Sequence, residues 1–355
     1  MKKFNIRKKN VLKTKNKKSS LKKSLRNRAF RKRKTKENSL ASKKARIKKT
    51  IIKKRHKRLF TDENFSLLND TQNVIDYIAE LKRHRFLNKH IGSITIDLSL
   101  VKRIDIGSIS LLLSSIKELN IYGINIEGNL PNAPDCRDLI LSSGYIENMS
   151  SVSNSLKTTL ETFTSKNMII MSGGEISAGK KIGQCLQQAI MELYGQPLHY
   201  PPIYGMIQEI NGNSVEHAYK KHPHWIFGVN HDKVNQKIIF TFTDNGFGIL
   251  QTLKRRIKKA VLDTLNLKTD EDILIGLFEK EYNSRFKKQY NRNKGLPVVR
   301  KTQVNKKLNN LMVVTNNVLL HLDSYESLKL NSSFSGTFYY WELDIETFKY
   351  GKGIS

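Results

Sequence analysis

"QKIIFTFTDNGFGIL", residues 236–250, decides how this chain is read. Ile238, Phe240 and Phe242 alternate with Ile239, Thr241 and Thr243, the period of a strand. The strand runs directly into Asp244-Asn245-Gly246-Phe247-Gly248. Two glycines one residue apart let backbone take positive φ or approach a flat ligand closely. A carboxylate fixed at a strand end can accept a hydrogen bond from an exocyclic amine such as that of adenine.

Upstream, "MIQEINGNSVEHAY" (206–219) has a helical stripe in Met206, Ile210, Val215 and Ala218. Residues four apart share a face, so Glu209 and Asn213 project together, with Glu216 and His217 one turn further on. Alone, such a face is merely solvated. Downstream, "NRNKGLPVVRKTQVNKK" (291–307) places Gly295-Leu296-Pro297 ahead of a helix. Its N-terminus suits a phosphate, with Arg292 and Lys294 beside it. "SGTFYYWELDI" (335–345) is a late strand opened by Gly336-Thr337.

The order of these four pieces over residues 173–345 resembles the GHKL (Bergerat-fold) ATPases, in which E-x-x-x-N, D-x-G-x-G, a G-x-G-L lid and a G-T strand follow one another. The resemblance implies an α/β sandwich, a mixed sheet covered by helices, that binds ATP and Mg²⁺. It implies that Asn213 holds the metal, a hard cation that prefers oxygen ligands. Glu209 would orient or deprotonate the attacking water or hydroxyl. Asp244 would bind the adenine amine, in a pocket shaped by Gly246 and Gly248. Lys294 and Gly295 would cover the phosphates, and Thr337 would back the base. The first lid glycine is replaced by Asn293, a residue that tolerates positive φ. The long charged segment 253–289 fits the lid region, and His217 is expected to pack beside the site.

A competing pattern is Gly174-x-x-x-x-Gly179-Lys180 in "MIIMSGGEISAGKKIGQCLQQAI" (168–190). A P-loop continues with Ser or Thr, whose hydroxyl holds Mg²⁺. Lys181 stands there instead, so the segment reads as a loop entering a helix.

Residues 59–150 read as a smaller α/β unit. "FSLLNDTQNVIDYIAELKRHR" (65–85) has a helical period, and "SITIDLS" (93–99) alternates as a strand. "IGSISLLLSSIKEL" (106–119) suits a helix with Leu112, Ile116 and Leu119 inward. "GINIEGNL" (123–130) is a second strand, and a last helix ends at Gly144. Alternating strands and helices predict a mostly parallel sheet. The stretch 94–145 resembles a STAS domain, the fold of anti-sigma-factor antagonists, and so implies a protein-interaction module. In that family an Asp-Ser-Ser-Gly turn carries a phosphorylated serine. Here Asp105 is followed by Ile106, Gly107 and Ser108, so Gly107 occupies the acceptor place and Ser108 is a displaced acceptor or an ordinary helix N-terminal serine.

Basicity is concentrated at one end of the chain. Of 63 Lys and Arg, 28 lie within residues 1–58 against one acid, Glu37; the remaining 35 face 30 acids. This arm is too poor in apolar residues to offset its ordering entropy and is expected to be disordered, with 21–36 able to turn helical on binding. It is a footprint for a polyanion: nucleic acid, or an anionic lipid surface. Cys136 and Cys185 have no metal-ligand spacing. His217, His222 and His224 lack a Cys pair for zinc. No run of about 20 apolar residues spans a bilayer, and no secretory signal is visible; the expected setting is cytoplasmic.

The sequence thus predicts an arm (1–58), a STAS-like module (59–150), a Ser/Thr-rich linker (151–166) and a GHKL module (167–355). The function implied is an ATP/Mg²⁺-dependent regulatory protein, a slow ATPase switch acting through the STAS-like module and the arm. One alternative is a serine/threonine kinase of the anti-sigma type; another is a nucleic-acid-binding scaffold with a nucleotide-sensing site. Protein partner and homodimer formation are left open.

Overall fold

Each β-branched run identified above becomes a strand, and where the strands pair decides what the helices can cover. The computed structural model describes residues 28, 32, 34, 55–87, 91–149, 168–174, 179–217, 222–256, 268–279 and 295–353. The linker 151–166, Lys294 and most of the arm lie outside the described residues. Arg28, Lys32 and Lys34 of the arm are helical and exposed. Residues 54–355 form one compact unit.

That unit begins earlier than the sequence reading placed it. Strand β1 (Arg55–Phe60) takes in Arg55–Arg58, which were assigned to the arm. It pairs parallel with β3 (Ile91–Asp97), with Arg58 opposite Thr95 and its side chain reaching Asp97, whose carboxylate accepts from Arg58 Nε at 2.9 Å. A partner for the charge and a strand ladder for the backbone order residues that composition alone marks as solvated. Between them lie a two-residue strand β2 (Asn64–Phe65) and helix α1 (Thr71–Arg83). Asp70 caps α1 by accepting from Asn73 N, and Val74, Ile75, Ile78 and Leu81 form its buried stripe. Then follow β4 (Arg103–Ile104), paired with β2, helix α2 (Ile106–Ile121), β5 (Asn125–Gly128) and α3 (Pro134–Ser142). The three-stranded sheet β1-β3-β5 is parallel throughout, as alternating strands and helices require.

The second sheet is built from β6 (Met168–Gly173), β7 (Trp225–Asp232), β8 (Lys237–Asp244), β9 (Asn309–His321) and β10 (Ser327–Asp344), in the order β6-β7-β8-β10-β9. Expected to be mixed, it is antiparallel at every pairing: β7-β8 and β9-β10 are hairpins joined by short turns, and β6-β7 and β8-β10 pair antiparallel across longer helical connections. Helices α4 (Gly179–Tyr194), α5 (Pro201–His217), α6 (Ile249–Arg256), α7 (Asp270–Phe278), α8 (Gly295–Val304) and α9 (Ile345–Lys352) complete the described part. β6 is an antiparallel edge strand, a poor platform for the P-loop pattern that follows it.

Both faces of this sheet are apolar. Phe240, Phe242, Phe227, Val313 and Trp341 share a core with Leu186, Ile190, Met206 and Ile210 from α4 and α5. On the opposite face, Ile226, Met312, Val314, Phe338 and Tyr340 share a core with Ile78, Ile109, Leu112 and Ile116 from α1 and α2. Helix α2 therefore has no solvent face to speak of: Ile106–Ile116 are all buried, as are Glu118 and Leu119. The inward set Leu112, Ile116 and Leu119 is only half of what it buries. Its serines make the second contact close, with Ser110 Oγ 2.8 Å from Thr241 Oγ1. Gly228 is required there, since a Cβ would lie 2.5 Å from Thr241 Oγ1 and 3.2 Å from Ser110 Oγ. None of the described helices is long and apolar enough to cross a membrane.

Each fully buried Ile or Leu in this contact contributes about 1.5–3 kcal/mol. A fragment comprising residues 167–355 alone should therefore expose the Ile226–Phe338 face and aggregate or bind a hydrophobic dye on size-exclusion chromatography. Co-expression with residues 54–150 should restore a monodisperse species. A stable, monodisperse 167–355 fragment would show that the shared core is dispensable.

Candidate functional site

Asp244 ends β8 with Trp225 of β7 on one side and Thr337 of β10 on the other, both in register. Its side chain is buried, and a buried carboxylate needs donors. Oδ1 accepts from Gly246 N at 2.7 Å and from Thr337 N at 3.3 Å. Oδ2 accepts from Ser214 Oγ at 3.2 Å, which brings the C-terminal half of α5 onto the strand end.

The loop after Asp244 is held on all sides. Asn245 Oδ1 accepts from His224 N at 2.9 Å, and its Nδ2 donates to His222 O at 3.0 Å. Gly248 has φ +84°, and a Cβ there would lie 2.5 Å from Asn316 Oδ1, so conformation and space both select glycine. Asn316 donates to Phe247 O at 2.9 Å and accepts from Gln251 N at 3.2 Å. Thr315 Oγ1 accepts from Ile249 N at 2.9 Å and donates to Gly336 O at 3.2 Å. Gly336 itself has φ +135°, and a Cβ on it would overlap the carbonyl oxygen of Asp244.

Asn213 is half-buried and stands next to Ser214 on α5. Gly295, buried at the first position of α8, lies so close that a Cβ would overlap the Asn213 carboxamide. Glu209 is exposed one turn earlier on α5. Thus Asn213, Asp244, Gly246, Gly248, Gly295 and Thr337 gather at the β8–β10 strand ends, with Glu209 on the same helix. Lys294 lies outside the described residues, as does the side chain of His217.

Sequence reasoning missed Ser214, Thr315 and Asn316. The polar run Thr315-Asn316-Asn317 interrupting "MVVTNNVLLHL" (312–322), an otherwise largely apolar stretch, was the available signal for the last two. It also missed two buried groups on the same side of the sheet. Asn211, on α5, leaves both amide atoms without a hydrogen-bond partner among the described residues, and so does Trp225 Nε1 beside Asp244. Each such group costs on the order of 1–3 kcal/mol and calls for a partner such as a water, an ion or a ligand. The cradle fits a flat, polar ligand: a carboxylate acceptor, backbone without Cβ atoms, and a helix amide against a helix start. Among the described residues no three His, Cys, Asp or Glu side chains gather as for a protein-held metal. A Mg²⁺ carried by phosphates and waters, touching one asparagine oxygen, does not need such a group.

Ser108, weighed above as a displaced acceptor, is buried at the start of α2. Its Oγ accepts from Asp105 N at 3.3 Å while Asp105 Oδ1 accepts from Ser108 N at 2.8 Å, a capping box, and the hydroxyl donates to Asp105 O at 2.9 Å. His224 faces α2, with Nε2 3.0 Å from Ser114 O. Burial, reinforced by the Lys82 charge, lowers its pKa from 6.5 to about 4.

No family model matches the chain, and no curated protein matches it.

Gly336→Ala should lower stability by on the order of 3 kcal/mol, measured by urea denaturation, because side chain and φ are both excluded. For His224, the unfolded chain binds the proton more readily than the folded one. Its stabilising contribution is therefore full above pH 6.5 and is lost as pH falls towards 4, by about 3 kcal/mol. His224→Gln should flatten that part of the stability–pH curve, and an unchanged slope would assign the loss to other groups.

Proposed function

We propose that this chain binds an adenine nucleotide with Mg²⁺ in the manner of the GHKL ATPases and works as a slow ATP-driven switch. One observation carries the reading: Asp244 Oδ1, at a strand end, is held by the N–H groups of Gly246 and Thr337, its Oδ2 meets Ser214 of α5, and Asn213, the residue before Ser214, meets Gly295. That is the grouping the motif order implies, and its members come from α5, β8, α8 and β10, far apart in sequence.

In this reading Asp244 accepts the exocyclic amine of adenine, and Gly246 and Gly248 let the backbone lie against the ring. Thr337 backs the base. Asn213 offers an oxygen to Mg²⁺, which when bound neutralises charge on the phosphates. Gly295 and Lys294 cover the phosphates at the start of α8. Glu209, exposed on the same helix as Asn213, orients the attacking water and takes its proton. The arm adds sequence-independent contact with a polyanion, and the parallel-sheet module serves as the STAS-like, protein-contacting part.

The anti-sigma-type kinase reading is weaker for this chain's own module. Ser108 is buried and engaged in a helix cap, so a phosphoryl group could reach it only after α2 frays.

Incubation with γ-labelled ATP tests the proposal. Wild type should release free phosphate, and Asn213→Ala should abolish the Mg²⁺-dependent signal. Glu209→Ala should bind a non-hydrolysable analogue as wild type does and lose roughly 10²–10⁴-fold in turnover. Label retained on protein would replace the switch by the kinase. Undiminished analogue binding by Asp244→Ala would remove the adenine assignment.

A further inference from the structure

Helix α1 belongs to the first module, yet its penultimate residue ends inside the second. Lys82 is buried, and its Nζ donates to Ser335 O at 2.6 Å. The same ammonium lies 3.2 Å from Glu118 Oε2 of α2 and 4.7 Å from the centre of the Phe334 ring. Burying a lysine is costly, so its location calls for a reason beyond helix packing.

Ser335 is the residue that turns β10 onto the Asp244 loop. Its Oγ donates to Gly246 O at 3.2 Å, and the next residue, Gly336, holds φ +135° against Asp244 O. Thr337 N, one residue further, reaches Asp244 Oδ1. A charged donor on Ser335 O fixes the orientation of the 335–336 peptide and hence of everything that frames the carboxylate.

We propose that Lys82 is a positioning residue for base recognition: through Ser335 and Gly336 it sets the place of Asp244, making the first module part of the nucleotide site. The inference rests on the adenine-nucleotide reading and adds to it a determinant of base choice that lies outside the GHKL-like segment. Phosphate and metal contacts, which fall to Asn213 and the start of α8, do not pass through Lys82.

Lys82→Met suits the test, because an unbranched side chain fills the space and Arg85 remains to pair with Glu118. Binding of non-hydrolysable adenosine and guanosine triphosphate analogues, and of inorganic tripolyphosphate, is measured by calorimetry with Mg²⁺ on the full chain. Wild type should prefer the adenosine analogue. Lys82→Met should lower that preference about tenfold while tripolyphosphate affinity stays within about twofold. An unchanged preference overturns the inference and leaves the nucleotide reading intact, and so does an equal loss for all three ligands. Wild type binding neither analogue overturns the nucleotide reading itself. Should Lys82→Met fail to fold, Lys82→Gln, shorter and neutral, removes the charged donor from Ser335 O and should lose the same preference; a wild-type ratio there overturns the inference.

Discussion

A five-stranded sheet that is apolar on both faces must be covered twice, and this constraint organises the molecule. Helices α4 and α5 cover one face; α1 and α2 of the first module cover the other. Helix α2 meets the demand by being apolar or small on every side, so it is sandwiched between the parallel sheet and the antiparallel one. A helix hydrophobic all round has no stable place on a surface. Its serines take part in this: Ser110 and Ser114 are short enough for close approach and find hydroxyl or imidazole partners across the contact. Gly228 lacks a Cβ that would hold the layers apart.

The polar part of the interior follows from that packing. Two cations, Lys82 and Arg85, converge on Glu118, and each of the three is largely withdrawn from water. Burial pulls the Lys82 amine down and Glu118 pulls it back up. A buried pair of this kind adds little net stability over well-packed apolar residues, but removing one partner alone is destabilising. Here the remaining donor capacity of Lys82 goes to a backbone carbonyl next to the candidate site. Asp244 is likewise met by donors, the backbone N–H groups of Gly246 and Thr337 and the hydroxyl of Ser214.

Much of the site was legible. The alternation Ile238/Phe240/Phe242 against Ile239/Thr241/Thr243 appears as two faces of β8, and Gly248 stands where positive φ and close approach both need a glycine. Parallel pairing in the first module followed from the order of its elements. Less legible were Ser214, Thr315 and Asn316. Single polar residues in apolar runs look alike until the partners across the fold are known. Arg55–Arg58 misled for a related reason: charge density reads as solvated chain, whereas Asp97 and a strand ladder hold these residues in order.

Sequence by itself determined the local alphabet of this protein: which runs pleat, which coil, where a cap or a glycine turn must fall. These depend on neighbours a few residues away, through side-chain period and backbone sterics. Tertiary structure alone decided that α2 would bury both its sides and that a lysine at position 82 would meet a carbonyl at position 335. Those contacts join residues more than 100 positions apart, and their free energy comes from desolvation and shape match that no local pattern encodes.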